Sequence, residues 1–82
     1  METPVLFSTF IMGLASAALI ELGVIEDPTT KQKRVRKDVA SQHIRVLEML
    51  KAKTVGNLSE EERQLLDRML TDLKLQFAKT SA

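Results

Sequence analysis

The 82-residue chain contains no cysteine, tryptophan or tyrosine, and only three phenylalanines, three glycines, two prolines and one histidine. Without cysteine it makes no disulfide, no thiolate metal site and no thiol chemistry; it fits a reducing compartment, and a cytoplasmic location is expected. Three phenylalanines as the only aromatics leave few platforms on which single-stranded bases could stack. One histidine, His43, does not make a metal site. No nucleophile–base pair, phosphate-cradling glycine loop or ligand cluster at metal spacing is visible, so neither enzymatic activity nor a metal or cofactor is expected.

What is present is ordinary globular material, 44% hydrophobic and 28% charged, in a chain long enough for one domain. At this size folding buries only about 60% of the surface that the unfolded chain exposes, and self-association is a common remedy. The net charge of +1 hides an uneven distribution: residues 1–30 sum to −4, residues 31–58 to +6 and residues 59–82 to −1.

Periodicity predicts three helices in an all-α chain. The first, over about residues 4–22, opens at Pro4 and closes at Gly23. Phe7, Phe10, Ile11, Leu14, Ala18 and Leu22 form its bulky face, while Thr9, Gly13, Ser16 and Ala17 gather on a strip of small residues. Val5, Met12 and Leu19 fill much of the rest, so the helix is apolar nearly all round and requires burial from several sides. A loop over 23–35 follows, carrying the turn sequence Asp27-Pro28-Thr29-Thr30. The second helix, about 36–54, has the apolar stripe Val39, Ala40, Ile44, Val46, Leu47 and Leu50, and Gly56-Asn57 is expected to end it. Ser59-Glu60-Glu61-Glu62 reads as a capping box opening a third helix over 59–79, with Leu65, Leu66, Met69, Leu70, Leu73 and Phe77 inward. The short connection between the second and third helices predicts an antiparallel hairpin.

Several features admit a sharper reading and a plainer one. Thr3 to Ile20 is a run of 18 uncharged residues, which as a helix would span about 27 Å against the roughly 30 Å hydrocarbon core of a bilayer. Its hydroxyl and glycine content, and Glu21 at its end, favour protein burial over a membrane anchor. A secretory leader is not expected, since Glu2 stands where a basic segment belongs, despite Ala15-Ser16-Ala17. Lys31, Lys33, Arg34, Arg36 and Lys37 place five cations in seven residues, a possible electrostatic contact for phosphates or for an acidic partner. With no aromatic between them they read first as a solvated loop. Glu60, Glu61 and Glu62 suit the positive end of a helix dipole and need no metal to explain them. His43 falls within the apolar stripe of the second helix, where a hydrogen-bonded imidazole is expected; as a switch, its protonation at about pH 6 would loosen the assembly.

Three stretches together carry a resemblance. These are Phe7-Ser8-Thr9-Phe10 running into Leu14-Ala15-Ser16-Ala17-Ala18-Leu19, then Leu22-Gly23 with Asp27-Pro28, and Leu47-Glu48-Met49-Leu50 continuing to Lys53-Thr54-Val55-Gly56-Asn57-Leu58-Ser59-Glu60-Glu61-Glu62. The chain, from about Leu6 to Phe77, resembles a bacterial family of short proteins, the domain of unknown function numbered 1844. The resemblance implies a bacterial, cytoplasmic, helical protein and carries over no catalytic residue. Where that family favours Gln-Thr-Ile followed by an acidic residue, this chain has Gln42-His43-Ile44-Arg45.

The reading that results is a non-enzymatic interaction module that self-associates, with a homodimer as the expected assembly and Phe7, Phe10, Gly13, Leu14 and Ala17 carrying the contact. Leucine at Gly13 is expected to split the oligomer or to unfold it. A membrane-attached adaptor anchored by residues 3–20 and a weak nucleic-acid binder using residues 31–37 are the alternatives.

Overall fold

The computed structural model describes residues 6–80, which form three helices: α1 (Phe7–Glu21), α2 (Lys37–Lys53) and α3 (Glu60–Lys79). The expected opening of the first helix at Pro4 lies outside the described residues, and Leu6 is the N-cap of α1. No strand occurs among the described residues, only a single bridge between Leu22 and Val35.

Each boundary has a local cause. At the start of α3 the Ser59 hydroxyl accepts from the Glu62 backbone N–H at 3.2 Å, and the Glu62 carboxylate accepts from the Ser59 N–H at 2.8 Å. Two backbone donors that the helix itself leaves unpaired are thereby satisfied. Ser59→Ala is expected to lower stability by about 1 kcal/mol, read as a fall in melting temperature of about 4–8 °C.

The end of α1 is a Schellman motif. The Val24 N–H donates to Leu19 O and the Gly23 N–H to Ile20 O, both at 3.0 Å, with Gly23 at φ +74°. That conformation is open to glycine at little cost, and a Cβ here would also sit 3.1 Å from Val35 Cγ2. The end of α2 departs from expectation. The helix stops at Lys53 with Thr54 as C-cap, its Oγ1 donating to Leu50 O at 2.6 Å. Gly56, at φ +83°, serves the following turn and not the helix terminus.

The loop between α1 and α2 is closed by its own hydrogen bonds. Asp27 Oδ1 accepts from the Thr29 N–H at 2.8 Å, Asp27 O accepts from the Lys31 N–H at 2.7 Å and the Asp27 N–H donates to Gln32 O at 2.9 Å. A bond from the Arg36 N–H to Glu21 O returns the chain to the end of α1.

The core is where the three helices meet: Ile11, Ala15 and Ala18 from α1, Ile44 and Leu47 from α2, Leu66, Leu70 and Leu73 from α3. Phe7, Leu14, Leu19, Leu50, Leu58, Leu65, Met69 and Phe77 pack around it. Two ion pairs join α2 to α3, Lys51 with Asp67 at 2.8 Å and Glu48 with Lys74 at 3.1 Å. The Cα envelope measures 36 × 33 × 17 Å, a flattened arrangement that leaves much helix surface uncovered.

Candidate functional site

The feature that stands apart is the side of α1 that faces away from the core. Leu6, Phe10, Gly13, Ala17 and Ile20 follow one another at spacings of four, three, four and three, which puts them on one stripe. It lies opposite Ile11, Ala15, Ala18 and Leu22, all buried. Leu6 is 59% exposed and Phe10 50%, while Met12, at one edge, is 52% exposed. Gly13 is exposed, and a Cβ built on it meets nothing within 4 Å. No charged residue occurs anywhere from Leu6 to Ile20.

The five positions expected to carry self-association therefore divide. Phe10 and Gly13 are exposed, Ala17 is half-buried on the same stripe, and Phe7 and Leu14 are packed against the core of their own chain. The bulky face read from the spacing thus splits, Ile11 being fully buried and Phe10 half exposed as a contact residue requires. In a helix apolar nearly all round, periodicity says little about which side turns inward.

Five cations were expected to act together in the loop, and the structure separates one of them. Lys31, Lys33, Arg34 and Arg36 are exposed. Lys37 begins α2 and is engaged: its ammonium donates to Thr80 O at 3.0 Å and lies 4.2 Å from the centre of the Phe77 ring, a cation–π geometry. Arg34 and Arg36 help line a depression of about 430 Å³ at the end of the α1 stripe, together with Ala17, Ile20, Glu21 and Thr30.

His43 joins α2 to the end of α1. Its Nδ1 lies 2.7 Å from Glu21 Oε1, with the imidazole 29% and the carboxylate 15% exposed. The imidazole thus pairs with a carboxylate of its own chain. His43→Ala leaves the mostly buried Glu21 without this partner. It is expected to lower stability by about 1–3 kcal/mol, with His43→Gln, which keeps a donor, recovering part of the loss in thermal unfolding.

A second polar cluster lies at the α2–α3 turn. Hydrogen bonds from Arg63 and then Gln64 hold the Glu60 carboxyl below its usual range, and Glu60 in turn holds Arg63 above its own. Lys51 foremost holds Asp67 below the usual range, and Arg63 adds a contact at 3.2 Å. A carboxylate whose folded value is depressed stabilises the fold above its unfolded value and loses that contribution as pH falls through the folded one. Both groups are solvent-accessible, which screens the effect. Stability is thus expected to stay nearly flat from neutrality down to about pH 5 and to decline below about pH 4, as followed by denaturant midpoints.

Among the described residues, no group of three or more His, Asp or Glu side chains could hold a metal ion. No described helix is long and apolar enough to cross a membrane; α1, at 15 residues, rises about 22 Å and turns one side to its own core. The residue chemistry that remains is apolar contact along α1 and charge at one end of it.

Neither the curated proteins nor the solved structures searched contain a match. Residues 4–79 match the sequence model of the domain of unknown function DUF1844, and the chain belongs to that family.

Proposed function

We propose that this protein is a non-enzymatic, cytoplasmic interaction module that forms a homodimer through the outward stripe of α1. The observation that carries the reading is that this stripe is uncharged along its whole length, with Leu6 and Phe10 each at least half exposed. Contiguous apolar surface of this kind marks contact sites on soluble proteins.

The area points the same way. The accessible surface of 6004 Å² for a 9.2 kDa chain exceeds by roughly 1,100 Å² the value of about 4,900 Å² expected of a folded monomer of that mass. That size is comparable with the roughly 800 Å² that each partner loses in a standard interface. Within the protomer, α2 and α3 are read as an antiparallel hairpin, supported by the progression of ion pairs: from Lys51–Asp67 to Glu48–Lys74, numbers fall in α2 as they rise in α3.

The test is the absolute mass of the purified protein by light scattering after size exclusion, in detergent-free buffer over a range of concentrations. A discrete dimer supports the reading. A monomer at every concentration, or material that becomes discrete only in detergent, overturns it.

A further inference from the structure

We propose that the two copies meet with their α1 helices antiparallel, each inserting its Phe10 into the other's depression between Ala17 and Ile20, beneath Arg34 and Arg36. This rests on the self-association reading above and adds to it a direction, a register and a pocket.

Charge sets the direction. The carboxyl-terminal end of α1 is joined to the loop that carries Lys31, Lys33, Arg34 and Arg36 by the bond from the Arg36 N–H to Glu21 O and by the Leu22–Val35 bridge. Counting Lys37, residues 21–37 hold five cations against three carboxylates, Glu21, Glu26 and Asp27. A parallel pair would set these two positive loops side by side, and would align two helix dipoles, both unfavourable. An antiparallel pair puts the loops at opposite ends and opposes the dipoles.

Residue size sets the register. A two-fold axis midway between Gly13 and Ala17 places those two residues opposite each other, the smallest on the stripe, where the backbones approach most closely. The same axis sets Phe10 against Ile20 of the other copy and Leu6 near its Val24, which is exposed. Four–three spacing along the stripe suits a shallow helix crossing.

Chemistry supplies the pocket. Phe10 is half exposed in the single chain, and the depression at the other end of the stripe has apolar walls from Ala17 and Ile20, carboxylate-bearing ones from Glu21 and Asp27 and cationic ones from Arg34 and Arg36. A phenyl ring fits the apolar and cationic walls, burying its edges on the aliphatic side chains and turning its face to a guanidinium. Within one chain the same pairing already occurs between Phe77 and Lys37. Residues Ala17, Ile20, Arg34 and Arg36 thus form a site that only a second copy's Phe10 completes.

The absence of native cysteine allows a direct test. Leu6→Cys and Val24→Cys proteins, each exposed at its substitution site, are treated with a short bismaleimide, singly and as an equal mixture. Cross-linked dimer in the mixture, and little in either variant alone, is the expected result. Efficient cross-linking of Leu6→Cys with itself would show parallel pairing, overturning this inference while leaving self-association intact. In parallel, the Arg34→Gln, Arg36→Gln double variant is expected to weaken dimerisation by about five- to tenfold. Tighter dimerisation on removal of those cations would mean that the loops repel each other across the interface, and would overturn the antiparallel arrangement. Wild-type mass separates the levels: a monomer throughout sinks self-association itself, and binding seen only with anionic vesicles would assign the stripe to lipid.

Discussion

Replacement of Leu47 by alanine is expected to lower the free energy of unfolding by about 2–5 kcal/mol. Leu47 is fully buried, as are Ile11 and, nearly so, Leu66 and Leu73, so the removed atoms leave a cavity bordered by all three helices. Small domains occupy the lower part of the usual range of about 5–15 kcal/mol, so a loss of this size consumes much of the total. The measurement is urea unfolding at protein concentrations where mass is monomeric, with a lower midpoint and an unchanged slope. Met49→Ala, on the same helix but 46% exposed, serves as the control and is expected to change stability by less than about 0.5 kcal/mol. Equal effects at the two positions would mean that α2 does not pack as described.

The second large effect concerns Gly13 and separates folding from association. A Cβ at this position meets open space, and the residue lies in the middle of α1 with ordinary helical neighbours. Gly13→Ala is therefore expected to raise the stability of the single chain by about 0.5–1 kcal/mol, because alanine loses less backbone entropy on entering a helix. The sequence alone left open whether leucine at Gly13 would split an oligomer or unfold the chain. With Gly13 exposed and a Cβ there in open space, Gly13→Leu is expected to keep or slightly raise the melting temperature of dilute protein and to reduce the mass from dimer to monomer. A leucine variant that remained dimeric would place the contact elsewhere on the surface. One that unfolded would contradict the exposure of this face.

Much of the architecture can be read from residue order, and the limits of that reading are instructive. The Ser59–Glu62 capping box and the Leu66, Leu70, Leu73 repeat locate α3 to within a residue, because capping and amphipathic spacing are local properties. In α2, Ala40, Ile44 and Leu47 are buried as their spacing requires, and Val39, Val46 and Leu50 form the edge of the same stripe. The facing of α1 could not be obtained in this way. Phe10 and Ile11 are adjacent and equally apolar, and only the geometry of α2 and α3 decides that Ile11 goes in and Phe10 out. Lys37 shows the same limit for charge: its run of cations suggests one solvated loop, whereas its partners Thr80 and Phe77 lie some forty residues away in sequence. Glu21 and His43 are 22 residues apart, and nothing local to either announces a contact.

The Lys37 latch also bears on how the molecule breathes. Helix ends ordinarily fray independently, but here one ammonium group spans the first turn of α2 and the carbonyl of Thr80, the C-cap of α3, with the Phe77 ring beneath it. Opening either end breaks the contact for both, so the two helix ends are expected to open together in native-state hydrogen exchange. Amides near Ala40 and Ser41 and those near Phe77 and Thr80 should exchange with matched protection, and Lys37→Met should release them together while leaving the Ser59-capped start of α3 unaffected.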